Sequence, residues 1–409
     1  MGASAVISHA LARSTFPILL PAIESDLLSN RQQSGLLGST NFVAYLLGVA
    51  LVTVISGKVE PIRLLKTGIG AAALGFVTLA TATGMATLSA GQAMTGFGSA
   101  GIWMSAPAIA TSAAPAHRRG MVMGLLSSCM GLGILVVGQG TNLVRAVADD
   151  PGQWRPTWYG AAGFAVALLI IVVVTVRVPH TDPVEGGVSI RRLRTVPGWF
   201  VLSVGYCLFG LVISAFTGFV GLLLKDQGFS PQHITNLFSA LGLAAVLGAV
   251  SLGRLSDRVG RRPILTGAMA TITVAAALML VGTEPYAGLA MVLFGAASFT
   301  FPVLTAAYVR DHLEDRAFSN ALGALTLIYG VGLIVGPTLA GTVADTDLGL
   351  RSVFVGLTVF AALSALTISR LPNLTRHAAL NESAIEPPGE PRTGHRSADG
   401  APDRQVHRP

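Results

Sequence analysis

Charged residues are scarce in this chain. Only 11% of its 409 residues are Asp, Glu, Lys or Arg, whereas 52% are hydrophobic; a soluble globular chain carries roughly 25% charged residues. Its two cysteines, Cys129 and Cys207, lie in apolar runs and are too few for a disulfide framework or a thiolate metal site. These absences exclude a soluble globular protein and indicate an integral membrane protein.

Twelve apolar runs are long enough to cross a bilayer as helices. They cover residues 3–23, 34–57, 67–84, 86–113, 120–144, 157–178, 198–224, 231–252, 264–283, 286–309, 318–343 and 350–370. The sequence therefore predicts an all-α integral membrane fold with twelve transmembrane helices. An even number of crossings places both termini on the same side of the membrane.

Basic residues are divided unequally between alternate loops. Fifteen fall in one set of loops: Lys58, Arg63, Lys66, Arg118, Arg119, Arg177, Arg191, Arg192, Arg194, Arg254, Arg258, Arg261, Arg262, Arg310 and Arg316. Five fall in the other: Arg31, Arg145, Arg155, Lys225 and Arg351. Because loops rich in Lys and Arg stay in the cytoplasm, we expect both termini to be cytoplasmic. The net charge of +7 then reflects topology, and we expect no nucleic-acid partner.

The chain repeats itself with an offset of 199 residues. Aligning GLLSSCMGLGILVVG (124–138) with GALTLIYGVGLIVG (323–336) pairs Gly131 with Gly330. Internal repeats of this kind are typical of secondary transporters, whose substrate site lies between the repeats. The predicted organisation is a six-helix half (1–178), a cytoplasmic central loop (179–197), a second six-helix half (198–371) and a disordered cytoplasmic tail (372–409).

The segment GRLSDRVGRRP, residues 253–263, lies between spans eight and nine. Its glycines would permit a tight turn, its aspartate could accept N–H bonds at a helix start, and its arginines could bind carboxylates or helix C-terminal carbonyls. The predicted conformational latch consists of Gly253, Asp257, Arg258, Gly260, Arg261 and Arg262. A plain topogenic charge signal is the alternative. The first-half counterpart, SGKVEPIRLLKTG (56–68), has no aspartate.

This segment resembles the cytoplasmic signature of the major facilitator superfamily. With twelve spans and duplicated halves, the resemblance covers about residues 1–371. It implies a secondary transporter with a cavity between its halves that the first span lines. We expect no enzymatic activity, no cofactor or metal, and a monomer in the lipid bilayer of a bacterial inner membrane.

Arg13 is the only formal charge in the middle of a predicted span. At 1.5 Å per residue it lies some 20 Å from the helix start, at mid-depth, where a charge costs at least about 2.5 to 3.5 kcal/mol. Arg13 could pair with helix carbonyls, since Pro17 lacks the N–H that would bond the Arg13 carbonyl. However, no intramembrane carboxylate neutralises the charge, and the repeat offers only Val212 at the equivalent position. We therefore predict that Arg13 binds an anionic substrate.

His9 precedes Arg13 by one helical turn. Because histidine changes charge near neutral pH, His9 could carry a proton, and the cationic neighbour would oppose its protonation until an anion binds. A polar residue near the cytoplasmic mouth is the alternative.

Six further polar or aromatic residues fall near mid-depth on other spans. They are Asn41, Tyr45, Trp103, Tyr206, Thr300 and Tyr329. Each alone is more typical of interhelical packing, but together with His9 and Arg13 they would line a cavity with aromatic walls and a few donors. Such a cavity suits a small organic carboxylate.

The sequence thus predicts a secondary active transporter of a small organic anion that works by alternating access. No ATP-binding loop is present, so proton symport or anion exchange must drive it, and its direction stays open. Drug efflux is an alternative that would call for an intramembrane acidic residue. A membrane sensor would need a folded cytoplasmic domain, and a membrane enzyme would need paired carboxylates or metal ligands within the spans.

Topology gives the first testable prediction. Cysteines introduced beside Arg118 and Arg258 should resist impermeant thiol reagents in intact cells, because the basic loops are cytoplasmic. A cysteine beside Asp150 should be labelled. Labelling in the basic loops together with protection near Asp150 would reverse the orientation.

Overall fold

The computed structural model of the chain describes residues 1–55, 58–112, 114–115, 118–150, 153–176 and 188–372. At positions 119, 120, 250, 257, 315 and 316 it describes only the backbone. Parts of the predicted segments lie outside the described residues: the ends of spans two, four and six at 56–57, 113 and 177–178, the central loop over 179–187, the tail over 373–409, and the side chain of Asp257.

Twelve long helices form at the twelve predicted positions, which confirms the all-α membrane fold. They are α1 (Gly2–Leu27), α2 (Arg31–Ile55), α3 (Pro61–Ala80), α4 (Met85–Ser112), α5 (Arg119–Ala148), α6 (Arg155–Thr175), α7 (Trp199–Asp226), α8 (Pro231–Val259), α9 (Arg261–Leu278), α10 (Tyr286–Arg310), α11 (Asp315–Ala344) and α12 (Gly349–Ile368). A short helix, Ile190–Leu193, precedes α7.

Ten of these helices are long and apolar enough to cross a membrane. The other two are α4 and α9, which pack among neighbours: α4 against α2 and α3, and α9 against α10 and α12. The α4 sequence is rich in Gly, Ala, Ser and Thr. Small residues let helix backbones approach closely in lipid, so α4 gains its stability from helix packing more than from contact with lipid.

The first helix is irregular in its middle. It is α-helical over Gly2–Ala5, π-helical over Val6–Ser14 and α-helical again over Thr15–Leu27. The hydroxyls of Ser14 and Thr15 donate to carbonyls five residues earlier, at His9 and Ala10. π-Helical turns are rare and frequently lie at functional sites, and this one contains both predicted residues of α1.

Repeat-related glycines make repeat-related contacts. Gly131 in α5 packs against the backbone of Gly242 in α8, and Gly330 in α11 packs against Leu46 in α2. The helix pairs α5–α8 and α11–α2 correspond under the 199-residue offset. These two pairs provide the closest packing between the first six helices and the last six.

Polar contacts between the first six and last six helices lie toward one end, which we call the Arg31 end because α2 begins there with Arg31. The Arg31 guanidinium is 2.7 Å from the Asp226 carboxylate, and Lys225 Nζ donates to the Pro21 carbonyl at 2.9 Å. Other bridging pairs are Ser39–Thr338, Gln139–Ser239, Asn142–Asn236 and Arg145–Thr235. The bridging hydrogen bonds and ion pairs named here all lie in this half of the molecule. We call the opposite end the Arg258 end.

Close packing at Gly131 gives the second prediction. A Cβ there would lie 2.7 Å from the Gly242 carbonyl oxygen and 2.7 Å from a Val246 methyl, so Gly131→Ala should push α5 and α8 apart and open the Arg31 end. The matched control is Gly140→Ala in the same helix, where an added Cβ meets nothing within 4 Å.

The reporter is a cysteine in place of Ser34, which is 2% exposed and lies near the Arg31 end. Its labelling rate should rise in Gly131→Ala and stay unchanged in Gly140→Ala. Equal labelling in both variants, with normal folding, would mean that this contact does not hold the end closed.

Candidate functional site

The Arg13 side chain projects from the π-helical part of α1 onto aromatic rings of α2. Its guanidinium carbon lies 4.0 Å from the centre of the Tyr45 ring and 5.7 Å from that of Phe42. Cation–π contacts of this kind stabilise a partly desolvated arginine by about 0.5 to 2 kcal/mol. The ring faces therefore offset part of the cost of placing Arg13 at mid-depth, but they accept no hydrogen bond in the guanidinium plane.

The polar hydrogens of Arg13 are not satisfied by protein. Nε and Nη2 are buried and have no hydrogen-bond partner, and Arg13 forms no ion pair with any described carboxylate. The expected alternative, pairing with helix carbonyls, is also absent among the described residues. A buried charged donor without a partner costs at least about 1 to 3 kcal/mol. An accepting group from outside the protein would remove that cost.

Three tyrosine hydroxyls near Arg13 also lack a protein partner in the described part of the chain. They belong to Tyr45, Tyr206 and Tyr329, of which Tyr45 and Tyr206 are only 6% and 5% exposed. Arg13 and Tyr45 lie within electrostatic range of the Tyr329 hydroxyl, and Tyr45 and Tyr329 lie within range of that of Tyr206. Two Arg13 nitrogens and three tyrosine hydroxyls, five hydrogen-bond donors without a described partner, are therefore grouped in this part of the bundle.

His9 and Trp103 lie beside this group on α1 and α4. Their rings are 4.5 Å apart in an edge-to-face arrangement, and His9 Nδ1 is 3.0 Å from the Ser8 hydroxyl. Arg13 is close enough to His9 to act on its charge. His9, Arg13, Trp103 and Tyr329 are all half-buried, so the side chains retain accessible surface in the interior of the helix bundle.

Aromatic rings from α7, α10 and α11 form a stack on the other side of the group. The Tyr206 and Tyr329 rings are 4.5 Å apart and within 13° of parallel, and Phe209 and Phe301 are 4.6 Å apart at 24°. Phe209 and Phe301 were not predicted as site residues, because an apolar ring in an apolar span carries no signal of its own. The structure places them here by packing.

Asn41 and Thr300 are buried and bonded to helix backbone. Asn41 Nδ2 lies within 3.3 Å of the Ala12 carbonyl, 3.1 Å of the Gln92 carbonyl and 3.0 Å of the Thr95 hydroxyl. It thereby joins α2 to α1 and α4, directly behind Arg13. The Thr300 hydroxyl donates to the Ala296 carbonyl in its own helix.

The predicted latch lies where α8 meets α9. Gly260 ends α8 with φ of +100°, a conformation that side chains rarely adopt, and it is also the N-cap of α9. Gly253 was expected to permit the turn as well, but this is wrong: it lies inside α8, nearly two helical turns before the turn. Arg261 Nε lies 3.2 Å from an Asp311 carboxylate oxygen, and its Nη1 donates to the Ser256 hydroxyl.

Asp257 was expected to accept N–H bonds at a helix start. Its backbone lies in the last turn of α8, and its side chain lies outside the described part of the structure, so this role stays a prediction. The arginines at 258 and 262 lie on either side of the turn, in the last turn of α8 and the first turn of α9. The turn therefore places three arginines together at the Arg258 end.

A cleft of about 330 Å³ opens at the Arg31 end. It is lined by Glu24, Leu28, Ser29, Asn30, Arg31, Ala344 and Asp345. Arg31 lies 3.6 Å from Glu24 as well as pairing with Asp226. The cleft is open and rimmed by ion pairs that join the helices, and it lies away from the group around Arg13. From the sequence, we expected Arg31 to be only a basic residue of a loop.

A family model described as "Uncharacterised MFS-type transporter YbfB" matches residues 5–370. The chain belongs to this family of major facilitator superfamily transporters. It is an integral membrane transporter with many membrane-spanning helices. The match extends from α1 to the end of α12, so the residues around Arg13 all lie within it.

Relatives and solved structures agree with this assignment. The transporter is 26% identical over 272 residues to the MFS-type transporter YcaD of Salmonella enteritidis, covering 66% of this chain and 68% of that protein. Its fold is similar to an inward-facing, occupied bacterial homologue of the human lysosomal transporter Spinster, with a TM-score of 0.75, 15% identity, and coverage of 92% and 97%. It is also similar to the human organic anion transporter MFSD10, with a TM-score of 0.66, 17% identity, and coverage of 90% and 98%.

The bonds of Asn41 give the third prediction. Asn41→Leu should lower the stability of the transporter by about 1 to 3 kcal/mol, because the carbonyls of Ala12 and Gln92 lose a buried donor. Thermal unfolding in detergent measures this. The control is Thr40→Ala, whose hydroxyl bonds only to Leu36 in its own helix. Unchanged stability with weakened substrate binding would show instead that Asn41 contacts the ligand.

Proposed function

We propose that this transporter moves a small organic anion by alternating access, and that Arg13 binds the carboxylate. The observation that carries the proposal is the Arg13 guanidinium, with two buried nitrogens and no acceptor among the described residues. An arginine presents paired N–H donors that match the geometry of a carboxylate. The three free tyrosine hydroxyls add further donors around the same place.

The composition of the site supports an anion over a cation. The unpaired groups described around Arg13 are mostly hydrogen-bond donors; Asn41 Oδ1 is a buried acceptor without a partner, and no described carboxylate accompanies them. A cationic drug would meet an uncompensated guanidinium there, which argues against the efflux alternative. The fold of the human organic anion transporter MFSD10 shows that the same architecture can serve an anion.

We assign the Arg258 end to the cytoplasm of a bacterial inner membrane, with both termini on that side, because the basic loops cluster there. The contacts at the Arg31 end then close the transporter toward the outside. Arg13, His9 and Trp103 keep accessible surface, which is consistent with access from the cytoplasm. The Spinster homologue with a similar fold was solved in an inward-facing conformation.

His9 is the candidate for coupling. When the site is empty, the charge of Arg13 opposes protonation of His9, and a bound carboxylate would neutralise that charge. Protonation of His9 and anion binding would then favour each other, as proton symport requires. Exchange of two anions is the alternative mode, in which Arg13 holds one carboxylate after another and His9 keeps its charge state.

We propose that the arginines around Gly260 act as a latch between states of the transport cycle. Arg261 already pairs with Asp311, between α9 and the end of α10. Because Gly260 fixes the turn, small movements of α8 and α9 would be transmitted to these arginines. The first-half counterpart lacks the aspartate, so the latch acts from one side.

Arg13 gives the fourth prediction. Arg13→Gln should lose most of the affinity for the carboxylate that binds the wild-type protein best in a panel of mono- and dicarboxylates. Loss of a charge-assisted bond in a desolvated site corresponds to a fall of about 10- to 150-fold. Arg13→Lys should keep part of the affinity, because it retains a point charge without the planar fork.

The matched control is Arg63→Gln, which also removes one arginine but at an exposed position on α3. Binding is measured on purified, folded protein, and thermal stability is recorded beside it. An Arg13→Gln protein with wild-type affinity would refute the proposed role. A purely structural Arg13 would show itself as lower stability in both variants with unchanged affinity.

A further inference from the structure

We infer that the substrate is a monoanion with a flat aromatic body, such as an aromatic monocarboxylate, and that its ring stacks on Tyr329. This inference rests on the proposed function and deepens it, because it names the part of the substrate that Arg13 does not contact. Three features of the site support it: its single charge, the scarcity of free hydrogen-bonding groups, and the position of its ring faces.

The site offers one positive charge. The cations at the Arg31 end are engaged with other groups: Arg31 with Asp226, Lys225 with the Pro21 carbonyl, and Arg145 with the Thr235 hydroxyl. A dicarboxylate would therefore carry a second negative charge into a desolvated space without a partner, which is costly. The site favours a substrate with one negative charge.

Few polar groups remain for a polyhydroxylated substrate. Among the described residues, the hydroxyls of Thr95, Ser99, Ser214 and Thr300 donate to helix carbonyls, and Asn41 Nδ2 is shared by three acceptors. The free groups are the Arg13 nitrogens, three tyrosine hydroxyls, and the buried amide atoms Asn41 Oδ1 and Gln92 Nε2. The Arg13 nitrogens and the tyrosine hydroxyls can serve one carboxylate. Sugars and nucleosides need many donors and acceptors along their length, and they would leave most of their hydroxyls unpaired here.

The ring faces lie where the rest of the substrate would extend. Tyr206, Phe209 and Phe301 are at most 5% exposed, whereas Tyr329, at the edge of the same stack, is half-buried. Tyr329 is therefore the member of the stack with a free surface. Its neighbour Gly330 packs against Leu46, which follows Tyr45, the ring that contacts Arg13. Trp103 is also half-buried and packs edge-to-face on His9, one helical turn before Arg13. A flat ring attached to a carboxylate on Arg13 would find its free ring face at Tyr329.

The strength of aromatic stacking sets the expected difference in affinity between a planar acid and a saturated acid. An aromatic pair contributes about 0.5 to 1.5 kcal/mol beyond the burial of its area, which corresponds to about 2- to 12-fold in affinity. A planar acid should therefore bind more tightly than a saturated acid of the same charge and size. The advantage should depend on the Tyr329 ring and not on its hydroxyl.

The fifth prediction uses five probes on the purified full-length transporter, with binding measured by calorimetry. They are benzoate, cyclohexanecarboxylate as the saturated match, phthalate as a dianion, gluconate as a polyhydroxylated monoanion, and benzamide as a neutral aromatic. Benzoate should bind most tightly, about 2- to 12-fold better than cyclohexanecarboxylate. Phthalate, gluconate and benzamide should bind more weakly still.

Variants at Tyr329 locate the effect. Tyr329→Leu should reduce the ratio of benzoate to cyclohexanecarboxylate affinity to about 1, because both acids then contact an aliphatic side chain. Tyr329→Phe keeps the ring and should keep the ratio. The control is Tyr159→Leu. Tyr159 lies on α6, is 51% exposed and is not one of the site residues. Because the ratio is also measured in the wild-type protein, the test does not depend on the folding of any variant.

Two failures are distinguishable. If cyclohexanecarboxylate, gluconate or phthalate binds as tightly as benzoate, and Arg13→Gln abolishes that binding, the inference is wrong and the proposed anion site stands. If benzoate keeps its advantage in Tyr329→Leu, the ring does not stack on Tyr329 and the inference is overturned. If none of the four anions binds in a way that depends on Arg13, the proposed function itself fails.

Discussion

The guanidinium of Arg13 lies at mid-depth in the bundle with no described carboxylate beside it. The surrounding groups must therefore stabilise an unpaired positive charge. The Tyr45 ring, 4.0 Å away, stabilises the cation through its face. A ring face leaves the in-plane N–H groups unbonded, and Nε and Nη2 remain buried without an acceptor. The protein thus lowers the cost of the charge enough for it to be tolerated, and leaves donors in place for a ligand. Asn41 holds the adjacent backbone of α1 in position from behind.

The alternating access that we propose would require the two sets of helices to separate. At the Arg31 end they meet through small residues and a few polar contacts, as at Gly131–Gly242 and Ser39–Thr338. Such contacts bury little side-chain volume, so they can form and break without repacking a core. A ligand in this site would contact α1 and α4 in the first six helices and α11 in the last six. When these two sets of helices move apart, the ligand loses some of these contacts. It can therefore shift the balance between states by its differential affinity.

Much of the fold follows from periodicity and composition, because a bilayer requires long apolar helices and leaves few alternatives. The repeat also predicted the pairing of Gly131 with Gly330, which make equivalent contacts. Local geometry was harder to predict. Nothing in the residue types of Val6–Ser14 signals a π-helix, since such turns arise from packing and from hydroxyl bonds to the backbone. Gly253 looked like a turn residue beside Gly260, yet α8 continues through it because no backbone contact interrupts the helix there. In the site, Arg13 could be predicted from the sequence because a charged residue in an apolar span is unusual. Phe209 and Phe301 could not be predicted, because an apolar ring in an apolar span is ordinary and only tertiary packing places it beside the site.

A crystal structure of the full-length transporter with 4-bromobenzoate, using the anomalous signal of bromine, tests most directly whether Arg13 is the anion anchor. The carboxylate should lie within hydrogen-bonding distance of Arg13 Nε and Nη2, with the bromine peak over the face of the Tyr329 ring. A bromine peak in the cleft lined by Glu24 and Arg31, or a bound carboxylate that leaves Arg13 unpaired, would contradict the proposed role of the first helix.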